Sequence, residues 1–515
     1  MTVSVTTDAP ADIHADLLII PFSAESSDGL LDTLETTMGA TVRQAAEDFS
    51  GKAGSVLRVY SETASSRLVL TGIGEPTTNQ DDAEETLRRA AAAVASEARD
   101  VKASTVAVLL PGALGTSADA PVISHENASR ALVEGFALGA YEFKQYKTEN
   151  DSDASITEII VHAPSETDSE GVERGAHQGY IRASATCTAR DLVNLSPNDK
   201  TARKFAGRIA ESAEAHGYDV DVWDVTRIRK EGFGGLLSVN LGSVEPPTFS
   251  ILEHDPDNAV NEKPIVLVGK GVVFDTGGLS LKDTKGSMDL MKSDMAGAAA
   301  VVGAFEALAD LNLPLHVIGL IPATDNRPGE NAYVPSDVIT MHSGATVEVM
   351  NTDAEGRLLL ADALSYAKRF DPEMVIDLAT LTGAQVIALG GEAAAVMTSE
   401  TDGSAERLYA IQRAGERSGE RVHPLPMYDS YRKQLDSTVA DLKNVGGREA
   451  GCITAGKFLE HFVDFPWMHV DLAGPAFLTL PKPYRPAGGT GFGVRLLTSY
   501  LEGYAAVKDG EKSGE

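Results

Sequence analysis

Residues 351–358 read Asn-Thr-Asp-Ala-Glu-Gly-Arg-Leu, so that two acids and a guanidinium alternate at Asp353, Glu355 and Arg357. In an extended segment, residues i, i+2 and i+4 point to one face. The three charged groups would then converge at the mouth of the apolar helix that Leu358 begins. Two carboxylates side by side repel, and one must take up a proton unless a cation intervenes. A divalent metal, or a pair of them, resolves that conflict. Taken alone, the octapeptide also fits a solvated loop with an acidic helix start.

A second group of chemical residues lies upstream. Val268-Gly269-Lys270-Gly271-Val272-Val273-Phe274-Asp275-Thr276-Gly277-Gly278 is followed by Lys282, and then by Ser293-Asp294-Met295-Ala296-Gly297. Residues 264–268 form a short apolar, β-branched run closed by Gly269, which reads as a buried strand. Lys270 and Asp275 therefore fall where a strand gives way to a glycine-rich loop, and open α/β sheets bind ligands at that edge. Asp294 precedes a helix of small residues, where an acid also serves as a plain N-cap.

These motifs resemble the leucyl (cytosol) aminopeptidases, two-metal peptidases that trim N-terminal residues. The resemblance covers roughly residues 180–505, and more faintly the N-terminal region. Asn-Thr-Asp-Ala-Glu-Gly-Arg-Leu matches the family signature. The Lys270–Gly278 stretch, Ser293-Asp294-Met295-Ala296-Gly297-Ala298-Ala299-Ala300, Arg448-Glu449-Ala450-Gly451 and Gly491-Phe492-Gly493-Val494-Arg495 follow in the family's order. By that resemblance Asp275 and Glu355 each bridge two metal ions. Asp353, with its own backbone carbonyl, completes one shell, and Lys270 and Asp294 complete the other. Lys282 and Arg357 are the catalytic residues outside the shells, with Arg357 holding a bicarbonate ion as general base. Met291, Thr380, Leu381, Gly383 and Ala473 line the first side-chain pocket or its backbone rim. A homohexamer is implied as well.

The chemistry agrees with this set. Two-metal hydrolases activate a water between ions roughly 3.5–4 Å apart, and only carboxylates offer two oxygens to two cations. A lysine ligand must lose its proton, which adjacent dications favour. Oxygen-rich shells with one nitrogen and no thiolate suit Mn²⁺ or Zn²⁺, as well as Co²⁺ or Mg²⁺. Protonated Lys282 is expected to stabilise the oxyanion; without the family, Arg357 reads as an oxyanion or carboxylate clamp. An apolar pocket with a methionine fits leucine-like side chains, with broad specificity because each methylene discriminates by only about 1–3 kcal/mol. One departure stands out. The loop from Asp283 to Ser287, between Lys282 and Asp294, is one residue longer than the family pattern, with a turn expected over 284–287.

The supporting elements read as an α/β protein of two domains: a smaller N-terminal α/β domain over 1–163 and a larger mixed-sheet α/β/α catalytic domain over 193–515. Between them, 164–192 is read as a linker and connecting helix, with the polar, acidic stretch 163–171 as linker and 172–192 as helix. Strands are expected at 17–21, 56–60, 67–70, 105–110 and 158–161, and helices at 82–100 and 127–141. In the second half, strands are expected at 315–321, 347–350, 374–378 and 468–472, and helices at 294–312 and 356–370.

The chain has 515 residues and a net charge of −31. That excess of acid opposes nucleic-acid binding, which needs cations against phosphates. It fits a highly hydrated surface or adaptation to a salty cytoplasm. Cys187 and Cys452 are the two cysteines, read as free thiols of a reducing compartment. The opening residues lack the features of a signal peptide, and no run reaches the ~18 apolar residues of a membrane span. The expected setting is cytoplasmic, with peptides bearing a free N-terminus as partners and neither membrane nor nucleic acid. The eleven histidines contain no His-Glu-x-x-His, and His342 and His469 read as structural. A two-metal phosphoesterase and a catalytically silent scaffold are the alternatives.

Overall fold

Alternating apolar runs become strands in two large sheets. The computed structural model describes residues 1–23, 28–75, 77, 79–110, 123–148 and 156–513. The chain divides into one unit of Met1–Cys187 with Leu480–Pro486 and another of Thr188–Thr479 with Ala487–Glu515.

The first unit holds β1 (Thr2–Thr6), β2 (Leu17–Ser23), β3 (Val56–Tyr60), β4 (Arg67–Gly74), β5 (Thr105–Leu109) and β6 (Glu158–His162), in the order β1-β6-β5-β2-β4-β3. All pairs are parallel except β3–β4. Successive side chains of a strand point to opposite faces. Leu17 and Ile19 accordingly join one core with Leu87, Val94 and Phe136, while Leu18 and Ile20 join another with Leu34 and Val42. The helix Gln80–Asp100 starts at Asn79, whose side chain accepts the N–H groups of Asp81 and Asp82. β1 had no counterpart in the sequence reading, because Thr-Val-Ser-Val-Thr is short and holds only two apolar residues.

The stretch read as a polar linker, 163–171, is largely helical. A single helix runs Glu166–Asn194. Its acidic first turn, Glu166 and Asp168, suits the positive end of the helix dipole, and Ser165 Oγ donates to Asp168 Oδ2 at 2.6 Å. The division between the units falls inside this helix, after Cys187.

The second unit is built on nine strands. In chain order they are β7 (Asp219–Trp223), β8 (Thr248–His254), β9 (Ile265–Gly269), β10 (Gly271–Asp275) and β11 (Val317–Asn326), and then, after β12 (Val338–Thr340) and β13 (Thr346–Glu348) of a separate small sheet, β14 (Met374–Ala379), β15 (Ala394–Thr398) and β16 (Val422–Pro424). β17 (Leu442–Lys443) completes the small sheet and β18 (Trp467–Asp471) the large one. The large sheet runs β16-β15-β18-β14-β9-β11-β8-β7, with β10 beside β11. Its centre, β18-β14-β9-β11, is parallel, and antiparallel pairs at β15–β18, β11–β8 and β8–β7 make it mixed.

Helices cover both faces. Val266 and Val268 face a core shared with Leu358, Leu359 and Ala363 of the helix Gly356–Ala367. On the opposite face, the helix Ala296–Asp310 lies so close to the sheet that a Cβ at Gly297 would stand 2.0 Å from the carbonyl oxygen of Leu378. Only glycine permits that approach. The result is the expected α/β/α arrangement, and the carboxyl ends of β9, β10, β14 and β18 share one edge.

Candidate metal centre

Each residue of the candidate centre is delivered by the end of a strand or the start of a helix. Lys270 immediately follows β9, and Asp275 closes β10. Asp294 ends a 3-10 helix, Met288–Ser293. It does not cap the following helix, whose N-cap is Met295. Its carboxylate instead accepts from Lys270 Nζ at 2.8 Å and from Thr380 Oγ1 at 2.8 Å, both on Oδ1.

The octapeptide converges differently from the extended reading. Residues 352–353 form a turn, and Glu355 already has helical backbone angles at the N-cap of Gly356–Ala367. Asp353 and Glu355 nevertheless meet Asp275, with one oxygen from each lying within 4.8 Å of the others. Arg357 does not join them. It is buried in the first helical turn, where its Nη1 donates to the carbonyl of Asn444 at 2.7 Å. Period two failed here because the segment turns into the helix before Arg357 is reached.

Two lysines thread the acids. Lys270 Nζ lies 2.8 Å from Asp294 and 3.0 Å from Glu355. Lys282 Nζ lies 2.9 Å from Asp275 and 2.6 Å from Asp353. The longer loop leaves this reach intact. Lys282 N is fixed to the Thr276 carbonyl at 2.9 Å, ahead of the extra length, and 284–287 form an exposed turn with Gly286 at φ +75°. Asp283, Lys285 and Asp289 are exposed and stand apart from the cluster.

Four acids thus share two ammonium groups inside the protein. Burial, reinforced by Glu355 and Asp294, holds the Asp275 carboxyl well above its ordinary range. Burial pushes Asp294 up to about 6, with Lys270 opposing and Glu355 adding to it. Asp353 is raised by burial and by Glu355. For Glu355, burial is outweighed by Lys270 and Lys282, and its carboxyl is lowered. Both lysines are pushed upward, because the surrounding acids outweigh the burial that opposes their charge. Asp294 Oδ2 and Glu355 Oε2 are buried and receive no hydrogen bond from the described residues. Buried carboxylate oxygens normally find donors, so these two are what a divalent cation requires. The donor set, all carboxylate oxygen with one amine, matches a hard or borderline cation.

Residues that sequence reasoning missed hold this cluster in shape. Asn326, at the end of β11, donates from Nδ2 to Asp275 Oδ1 at 2.8 Å and to the Thr352 carbonyl at 2.9 Å. Tyr333 O–H donates to the same carbonyl at 2.9 Å, and Thr352 Oγ1 donates to the Gly277 carbonyl at 2.7 Å. Such partners set the orientation of ligating side chains. The available signal was a polar residue ending a wholly buried strand at the ligand-binding edge.

Of the candidate pocket residues, Thr380 and Leu381 follow β14, Ala473 follows β18, and all three are half-buried. Met291 is half-buried in the 3-10 helix before Asp294, and Gly383 is exposed at the start of the helix Gly383–Leu389. The Thr380 carbonyl accepts from Lys270 Nζ at 2.9 Å, tying this rim to the acids. Neither Cys187 nor Cys452 forms a disulfide among the described residues; burial raises the Cys452 thiol well above its ordinary value, which makes it a poor nucleophile. His469 is buried with Nδ1 2.6 Å from Asp377, and His342 Nδ1 lies 2.9 Å from Ser365 Oγ.

A mixed α/β sheet with an under-neutralised acid cluster on its carboxyl edge is the arrangement of a metal-binding α/β protein. Comparison with known proteins narrows the class. Residues 187–498 match the model of the cytosol aminopeptidase family catalytic domain, and residues 30–150 match that family's N-terminal domain. A "Probable cytosol aminopeptidase" of Chloroherpeton thalassium is 44% identical over 98% of this chain and 100% of its own. One from Roseiflexus castenholzii is 41% identical over 97% and 99%. Among solved structures, a bottromycin maturation enzyme in complex with Mn superposes with a TM-score of 0.83 at 36% identity, covering 95% of this chain and 100% of that one. A tomato leucine aminopeptidase mutant gives 0.84 at 30%, covering 97% and 96%. The chain belongs to the cytosol aminopeptidase family and is a metallo-aminopeptidase.

Proposed function

We propose that this aminopeptidase works through a dinuclear centre and prefers leucine or other apolar residues at the N-terminus of peptides. The observation that carries this reading is the set of four carboxylates, three of them buried and Asp353 half-buried, paired with only two lysines, with Asp294 Oδ2 and Glu355 Oε2 left without donors among the described residues. Asp275 and Glu355 would bridge two divalent ions, Mn²⁺ or Zn²⁺. Asp353 would complete one shell, and Lys270 and Asp294 the other. Such ions supply an activated water and a Lewis acid for the scissile carbonyl.

The remaining chemistry belongs to the chain. With divalent ions held by the acids, Lys282 would no longer be needed to neutralise Asp275 and Asp353. Its ammonium can then donate to the carbonyl oxygen as that atom gains charge. Lys270 would serve as a ligand only as the neutral amine. Arg357 Nε is buried without an acceptor among the described residues, and it is the atom that would hold a bicarbonate serving as general base. The substrate's free α-amine would anchor in the acid-lined cluster, which explains cleavage from the end of a peptide. Met291, Thr380, Leu381, Gly383 and Ala473 would receive the first side chain.

The division of labour proposed for the chain is an N-terminal domain over 1–163, a connecting stretch over 164–192 and a catalytic domain over 193–515. A cytoplasmic homohexamer is part of the same reading. No helix among the described residues is long and apolar enough to cross a membrane. The decisive experiment is hydrolysis of leucine anilide by protein stripped of metal and reloaded with Mn²⁺ or Zn²⁺, with N-acetyl-leucine anilide alongside. Restored turnover that disappears on acetylation supports the reading. Turnover insensitive to acetylation, or absent with both ions bound, refutes it.

A further inference from the structure

Asp471 is the last residue of β18, fully buried, and paired in register with Ala379 at the end of β14. Its carboxylate gathers five donors. Oδ1 accepts Leu381 N at 3.1 Å, Thr382 N at 3.4 Å and Ala473 N at 3.3 Å. Oδ2 accepts Thr382 Oγ1 at 2.7 Å and the Cys452 thiol at 3.4 Å. Two separate segments, one after each strand, are thus fixed to a single side chain. At its other end the first segment is tied to the acid cluster: the Thr380 carbonyl accepts from Lys270 Nζ, and Thr380 Oγ1 donates to Asp294. Residues 380–382 are therefore stretched between the candidate metal ligands and Asp471.

We propose that Asp471 is a positioning residue for substrate, one carboxylate that holds Leu381, Thr382 and Ala473 as a pre-formed rim for the N-terminal side chain. The proposal rests on the pocket reading given above. Backbone N–H groups placed this way cannot drift without leaving a buried donor unmade, which is costly, and a rim fixed before substrate arrives loses little freedom on binding. Only an acceptor on both oxygens satisfies the site. An amide at this position would turn its own N–H groups toward the donors of either Thr382 and Cys452 or the three backbone amides.

The test is Asp471→Asn, assayed as metal-loaded full-length enzyme with leucine and alanine anilides, together with titrations using Mn²⁺ alone and free L-leucine. The expected result is a KM for leucine anilide raised about tenfold and a reduced preference for leucine over alanine. kcat should stay within about threefold, with Mn²⁺ affinity as in the wild type. A KM within about twofold of wild type overturns the proposal, whatever happens to Tm. So does a loss confined to kcat or to Mn²⁺ affinity, which would place Asp471 behind the acids instead of the rim. Should Asp471→Asn not fold, Thr382→Val removes the hydroxyl that donates to Asp471 and accepts Gln385 N–H, with Thr382→Ser, which can keep both bonds, as its control. A KM raised about threefold supports the proposal, and an unchanged KM overturns it. If the wild type binds Mn²⁺ but neither cleaves leucine anilide nor binds leucine, the pocket reading fails and this proposal falls with it. An active wild type with an indistinguishable variant sinks this proposal alone.

Discussion

Each unit buries a cluster of charge, and the two clusters are built to opposite rules. In the N-terminal unit Arg88 lies 2.5 Å from Glu85 and 2.8 Å from Glu134, Arg89 lies 2.7 Å from Glu85, and Arg130 lies 2.8 Å from Glu84. Three guanidinium groups meet three carboxylates. Burial alone would raise the Glu85 carboxyl, but Arg88 and Arg89 outweigh it and hold it down to about 2. In the catalytic unit four carboxylates meet two ammonium groups, and three of the four are pushed upward. The first cluster is complete in the protein alone. The second lacks about two positive charges, and that shortfall is what distinguishes a functional centre from a structural ion-pair network.

The largest effect expected from this contrast is at Asp275. Asp275→Asn should reduce turnover by at least about a thousandfold and lower Mn²⁺ occupancy, yet raise the Tm of the metal-free protein, because it removes an acid that burial already disfavours. Glu134→Gln should do the reverse. It would leave Arg88 short of a partner, destabilising the N-terminal unit by about 3 kcal/mol, while kcat per folded molecule is retained. Calorimetry with and without EDTA, alongside leucine-anilide rates, reads both. A metal-free Asp275→Asn less stable than wild type would break the comparison.

Next in size is Lys282→Met, which should lower kcat by about 10²–10³ with the metal retained; metal loss in that variant would mean the lysine is structural. Asn326→Ala should weaken Mn²⁺ binding about 10–100-fold by freeing the Asp275 carboxylate to rotate, as titration calorimetry would show. Loading with Mn²⁺ should also release protons, chiefly from Lys270 and the raised acids. Binding enthalpies measured in buffers of different ionisation enthalpy report that release, and identical values in all buffers would exclude it.

The smallest expected effect is in pH. Glu85 has a folded value of about 2 against an ordinary 4.5. It adds stability that is complete above about 4.5 and lost as pH falls toward 2. Asp294 has a folded value of about 6 against 3.8. In metal-free protein its charge is penalised above about 6, and the penalty disappears as pH falls below about 4. In EDTA, acidification from pH 7 to 5 should therefore stabilise the catalytic unit through Asp294 and through Asp362, which burial raises to about 7, whereas the N-terminal unit should lose stability over the same range, because burial lowers His162. Mn²⁺ should remove the Asp294 contribution and leave that of Asp362.

Much of this was legible in the sequence. The strands 56–60 and 374–378 and the helix 82–100 follow from local apolar patterning, and the structure places them within a few residues. The seven expected site residues occupy strand ends and helix starts of one unit, and six of them form the ion-paired cluster. What escaped was non-local. Asn326 becomes a support only because β10 pairs beside β11, and Asp471 because β18 lies beside β14. No spacing along the chain encodes those neighbours. Arg357 falls outside the ion-paired cluster for a local reason, since the period of two ends where the helix begins.

At Gly356 an added Cβ would stand 2.4 Å from Lys270 Cε and 2.6 Å from its Nζ. The glycine of the octapeptide is therefore the passage through which the lysine stem crosses the helix start. Substitutions at the two positions are consequently epistatic. Alanine at 356 is expected to be disruptive while lysine occupies 270, and far better tolerated once a shorter residue stands there. A double-mutant cycle on Tm would read that dependence as a coupling between a ligand and an empty space.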